Sequence, residues 1–204
     1  MLIQLENLTK RFNQERVFEN INYTFELGNH YAITGSNGSG KSTLIQIIAG
    51  SSLPSAGIVK YSKAAQDILV EEIFAEVSLA APYMDIIQEF TLLELLEFHF
   101  KFKKIASDKN ISDLIEDAYF SGSENKFIKN FSSGMKQRLK LALAFYSDTS
   151  ILLLDEPTSN LDEKAINWYS EKIKDIDNRL VIIASNQPEE YKSCEFVLDI
   201  EDFK

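Results

Sequence analysis

The segment GSNGSGKST, Gly35 to Thr43, sets a lysine and two hydroxyl residues at the end of a glycine-rich run. It fits the spacing G-x-x-x-x-G-K-S/T and lies between a predicted strand, HYAIT at His30 to Thr34, and a helical pattern, STLIQIIAG, that closes at Gly50. Glycines let the backbone curl until its N–H groups converge on phosphate oxygens, and the helix that follows turns its positive end to the same anion. Gly35, Ser36, Asn37, Gly38, Ser39, Gly40 and Thr43 then form the cradle, Lys41 neutralises the β and γ phosphates, and the Ser42 hydroxyl ligates magnesium (Mg2+). Far downstream, ILLLDEP places Asp155 at the end of an apolar strand with Glu156 beside it. Asp155 is set to hold magnesium through water, and Glu156 to orient an attacking water and accept its proton. Alone, the acidic pair fits a turn or a helix cap equally well. With the phosphate loop it specifies a nucleoside triphosphate site.

Several elements must position these groups. Alternating apolar residues from Ile3 to Leu27 predict antiparallel strands near the N-terminus. A turn and short strand follow over Leu53 to Tyr61, and a further strand over Ile73 to Leu79. TLLELLEFHFKF opens with Thr91 and Glu94 in capping-box spacing, so a helix starts there. Helical segments continue to about Tyr146, broken near Ser121 to Asn125. ILLLD is apolar enough to be buried on both faces of a parallel sheet; a helix over Glu163 to Ile176, the strand LVIIAS and a last strand EFVLDI complete the pattern. The expected fold is α/β: a P-loop NTPase core over 1–82 and 149–204, with an N-terminal antiparallel subdomain and an α-helical subdomain inserted at 83–148. In such a sheet the chemistry gathers at the strand ends.

Composition limits the alternatives. The 204 residues, 45% apolar and 25% charged, suit one core with an inserted subdomain. A formal net charge of −10 repels phosphate polymers and anionic lipid, so no nucleic acid partner is expected; KFKK at Lys101 to Lys104 fits cations at a helix C-terminus. Cys194 is the only cysteine, which excludes an internal disulfide and suits a reducing compartment. No basic-then-apolar leader is present, and no apolar run approaches the roughly 18 residues a membrane helix requires. The chain is thus expected in the cytoplasm, and any membrane connection comes through another polypeptide.

FSSGMKQRLKLALAF, from Phe131, followed closely by ILLLDEPTSNLD, resembles the ATP-binding subunits of ABC transporters, and the resemblance extends over essentially the whole chain. In that family the segment before the helix is LSGGQ; here Ser132 and Gly134 match while Ser133 and Met135 depart. The resemblance implies ATP as cofactor with magnesium, and hydrolysis powering transport through a separate integral membrane subunit. It also implies a second ATP-binding subunit, identical or related, whose Ser132 helix tip closes the site in trans. Asn160, Leu161 and Asp162 resemble the loop that communicates between the two sites. Phe12 lies where the family stacks an aromatic on adenine, although a hairpin aromatic fits its residues equally.

Two positions depart further. Relatives carry a glutamine near magnesium after the strand leading into the helical region; Ala80 is the matching position here, and Gln88 lies eight residues on. Relatives carry a histidine where this chain has Asn186, which can donate a hydrogen bond to a γ-phosphate but cannot become cationic. Asn186 equally fits a cap for the short segment after it. These losses predict slowed hydrolysis by Lys41, Glu156 and Asn186. They also leave open a nucleotide-gated dimerisation switch, or a soluble ABC ATPase unconnected with transport. The contact for a membrane partner is expected between Ala80 and Phe102, around PYMDIIQEF.

Overall fold

The computed structural model describes residues 1–176 and 178–204. The chain opens with a long hairpin, β1 (Leu2–Phe12) and β2 (Glu15–Glu26), and passes through β3 (His30–Thr34) and α1 (Lys41–Ile48). It then returns as β4 (Ala56–Lys63) and β5 (Gln66–Ile68), which complete an antiparallel sheet of order β2-β1-β4-β5. The predicted strand over Ile73 to Leu79 is shorter than expected. Ile73–Ala75 form a 3-10 turn and β6 covers only Val77–Ala80, because buried Ile73 packs over Gly50.

Beyond β6 come three helices, α2 (Leu92–Phe102), α3 (Ile111–Asp117) and α4 (Ser133–Tyr146). The remaining elements are β7 (Ile151–Asp155), α5 (Glu163–Lys174), β8 (Leu180–Ala184) and β9 (Phe196–Asp199). Five strands form a parallel sheet of order β6-β7-β8-β3-β9. The architecture is α/β, with a P-loop core joined to an antiparallel sheet and a helical block.

Side-chain alternation explains the uninterrupted apolar runs of β7 and β8. Ile151, Leu153, Leu180 and Ile182 face a core shared with α1 and the antiparallel sheet, whereas Leu152, Leu154, Val181 and Ile183 face a core shared with α2 to α5. Because the sheet is parallel, the segments leaving β3, β6, β7 and β8 all emerge at one end. Those segments begin with Gly35, Ala81, Glu156 and Ser185.

Candidate functional site

The loop from β3 into α1 is shaped by what it cannot accommodate. Gly40, the residue before α1, has φ 109, and a Cβ there would lie 2.4 Å from Val17 Cγ1. Lys41 is only 5% exposed, and its Nζ donates to the carbonyls of Gly35 and Ser36, each at 2.9 Å, so the ammonium sits inside the curl of the loop. The last turn of the chain braces this loop. The Glu201 carboxylate accepts from the Ser36 N–H at 3.0 Å and its hydroxyl at 2.5 Å, and Lys204 Nζ donates to the Ser39 carbonyl at 2.7 Å. The Ser36 hydrogen bonds hold Glu201 below the usual carboxylate range. Sequence reasoning missed both residues, since nothing in EDFK marks a partner 165 positions away.

Asp155 lies at the end of β7, 1% exposed, with neither carboxylate oxygen hydrogen-bonded. Burial pushes its pKa up to about 6; the Ser42 hydroxyl beside it opposes this and the Glu156 charge adds to it. A buried anion without a donor is costly unless a cation joins it. Ser39 Oγ is likewise buried without a partner. Among the described residues no three His, Cys, Asp or Glu side chains cluster for a metal. One carboxylate with one hydroxyl, both oxygen donors, suits magnesium that takes its other ligands from phosphate and water. The residues present therefore fit the ion.

Glu156 turns out of the strand with φ 41, its N–H bonded to the Ala184 carbonyl at 2.9 Å. It lines a cavity of about 290 Å3 together with Phe12, Asn37, Gly38, Lys41, Ser42 and Thr43. Phe12 is 54% exposed at the rim, with Lys10 Nζ 4.9 Å from its ring centroid. Asn186 does not cap the following turn. Its Nδ2 donates to Asn37 Oδ1 at 2.8 Å, while the Gln187 N–H is satisfied by the Ser185 hydroxyl at 2.9 Å.

Ser132 and Gly134 are not brought to this cavity. Ser132 is the N-cap of α4, accepting the Met135 N–H at 3.2 Å, and Gly134 lies so close to the Asn160 carbonyl that a Cβ would sit 2.6 Å from it. With Asn160 and Asp162 they line a separate cavity of about 310 Å3. Ala80 is buried within β6, opposite Leu154, the strand pairing continuing through it. Gln88 is held against Lys129, whose N–H donates to its carbonyl at 3.1 Å. In the same segment Tyr83 is 45% exposed, and burial, then the Asp155 charge, push its hydroxyl up to about 12. A further cavity, of about 460 Å3, is apolar and lined by Phe74, Met84, Ile87, Leu95, Phe98 and Phe102.

Residues 18–159 match the family model described as ABC transporter. The chain belongs to the ABC transporter family. Within it the chain is an ATP-binding protein and an ATP-hydrolysing ATPase of ABC type. It is 35% identical over 204 residues to the ABC transporter ATP-binding protein YybJ of Bacillus subtilis (strain 168), covering 98% of this chain and 92% of YybJ. It is 29% identical to the sulfate/thiosulfate import ATP-binding protein CysA of Pectobacterium atrosepticum, over 93% of this chain and 60% of CysA. Its fold matches a solved dimeric ATP-binding cassette in a post-hydrolysis state bound to ADP and Pi, with TM-score 0.81 and 22% identity, over 97% of this chain and 93% of that one.

Proposed function

We propose that this ABC ATPase binds magnesium-ATP on Gly35 to Thr43, hydrolyses it slowly, and drives a separate membrane transporter subunit from the cytoplasmic face. The observation that carries this reading is the cavity shared by Phe12, the phosphate loop and Glu156, with the unpaired Asp155 carboxylate beside Ser42. Loop amides and Lys41 take the phosphates, and the exposed Phe12 ring stacks on adenine. Ser42 and Asp155 hold magnesium, which supplies charge neutralisation on the phosphates when bound. Glu156 orients and deprotonates water. Asn186, tethered to Asn37, senses the third phosphate through its amide.

The separation of the two cavities supports a dimer. Ser132 and Gly134 of one chain close the nucleotide cavity of a second copy or a paralogue, and the matched cassette is itself dimeric. The helical subdomain, 83–148, carries that tip. Its apolar groove between Met84 and Phe102 receives the membrane subunit; among the described residues no helix is long and apolar enough to cross a membrane.

Slow turnover follows from Asn186, and from the absence of a glutamine side chain leaving β6 at Ala80. A hydrogen bond to a charged group contributes about 1.5 to 3 kcal/mol, or roughly 10- to 150-fold in rate if made only in the transition state. Steady-state turnover tests this with the membrane subunit present. Asn186→His is expected to raise the rate about tenfold, and Glu156→Gln to abolish it. No gain from Asn186→His, with Asn186→Ala equal to wild type, would remove the sensor role.

A further inference from the structure

We propose that Glu201 is a positioning residue for nucleotide binding: by holding the Ser36 N–H and hydroxyl, it fixes the peptide planes of the phosphate loop in the arrangement that receives a triphosphate. This rests on the magnesium-ATP reading above.

The fold delivers the carboxylate to the loop. β3 and β9 run parallel and pair Thr34 with Asp199, so the phosphate loop and the 3-10 turn Ile200–Phe203 leave the sheet side by side. Ile200 is fully buried against the loop: a Cβ added at Gly35 would come within 2.7 Å of its Cγ2, and one at Gly40 within 3.5 Å of its Cδ1. The Asp199 carboxylate caps the turn, accepting the Glu201 N–H at 3.0 Å. With its backbone so held, Glu201 reaches Ser36 and accepts from the N–H at 3.0 Å and from the hydroxyl at 2.5 Å.

Peptide geometry decides what these bonds do. In a planar trans unit the N–H and the C=O point in opposite directions. Glu201 draws the Ser36 N–H to its own side, which turns the Gly35 carbonyl of the same peptide the other way, where Lys41 Nζ donates to it at 2.9 Å. Lys204 repeats the device further along the loop. Its Nζ holds the Ser39 carbonyl at 2.7 Å, which turns the Gly40 N–H away from Lys204, and Gly40 and Lys41 both line the cavity of Phe12 and Glu156. Packing does not account for Glu201, which is exposed and belongs to neither hydrophobic core. Its charge alone would repel a triphosphate. Positioning and charge therefore pull affinity in opposite directions, and a substitution tells them apart.

Glu201→Ala removes both bonds to Ser36, whereas Glu201→Gln removes the charge and keeps an oxygen that accepts the Ser36 N–H. Magnesium-ATP is titrated calorimetrically into the full chain of wild type and both variants, with urea unfolding alongside. Affinity is expected to fall about tenfold in Glu201→Ala and to stay within about twofold of wild type in Glu201→Gln, with unfolding midpoints unchanged for this exposed position. A Glu201→Ala variant that binds magnesium-ATP as tightly as wild type, or more tightly, overturns the inference. So does a Glu201→Gln variant as weak as Glu201→Ala, since the accepted N–H would then contribute nothing. A weakened Glu201→Ala whose unfolding midpoint falls with its affinity also overturns it, marking general loosening of the fold. A wild type that binds no magnesium-ATP is a different failure: it overturns the nucleotide reading itself, and the inference with it.

Discussion

Glu190 shows how single residues hold the site together. It is 2% exposed, and its carboxylate accepts from the Thr158 N–H at 2.8 Å, from the Thr158 hydroxyl and from the Ser185 hydroxyl. It thereby ties the loop after Glu156 to the end of β8 that carries Asn186. Three donors offset the desolvation of a buried anion, and removing it leaves them unsatisfied. Glu190→Ala is therefore expected to cost about 3 to 5 kcal/mol, read from urea unfolding, and to loosen Asn186. Little of this was legible in the sequence. The phosphate loop, Asp155 and Glu156 were legible because their function lies in one local backbone turn with fixed spacing. Glu190 and Glu201 act on groups 32 and 165 positions away, which only the fold brings near.

At the scale of elements, local signals succeeded where the chain satisfies its own backbone. The capping box at Thr91 forms as expected, the Thr91 hydroxyl accepting the Glu94 N–H while the Glu94 carboxylate accepts the Thr91 N–H. They failed at Ile73 and Ala80, where packing over Gly50 and pairing with β7 decide. α2 also carries a pH response. Burial, and then Lys103, lower His99 to about 4, and its Nε2 lies 3.1 Å from the Ser147 hydroxyl. The neutral ring is favoured in the fold relative to an unfolded value of about 6.5, so its stabilisation is present above that pH and lost as pH falls toward 4. Acidification from about pH 7 to 5 is expected to cost about 1 to 2 kcal/mol, after screening by the solvent that reaches the ring. Chemical unfolding of wild type and His99→Gln at both pH values checks this: the gap between them should narrow by that amount at the lower pH.

At the scale of the molecule, the parallel sheet collects the loops after β3, β6, β7 and β8 at one end, where nucleotide chemistry gathers. The alternation of elements made this architecture legible, whereas the distance between the Ser132 tip and the phosphate loop appears only in the folded chain. Everything depends on a triphosphate being held by Lys41 and the loop around it. The most direct measurement is a calorimetric titration of wild type and Lys41→Ala with magnesium-ATP. The account predicts saturable binding by wild type and an affinity at least about tenfold weaker for Lys41→Ala, the loss of one charge-assisted contact. A wild type without affinity for magnesium-ATP, or a Lys41→Ala variant that binds it equally well, would contradict it.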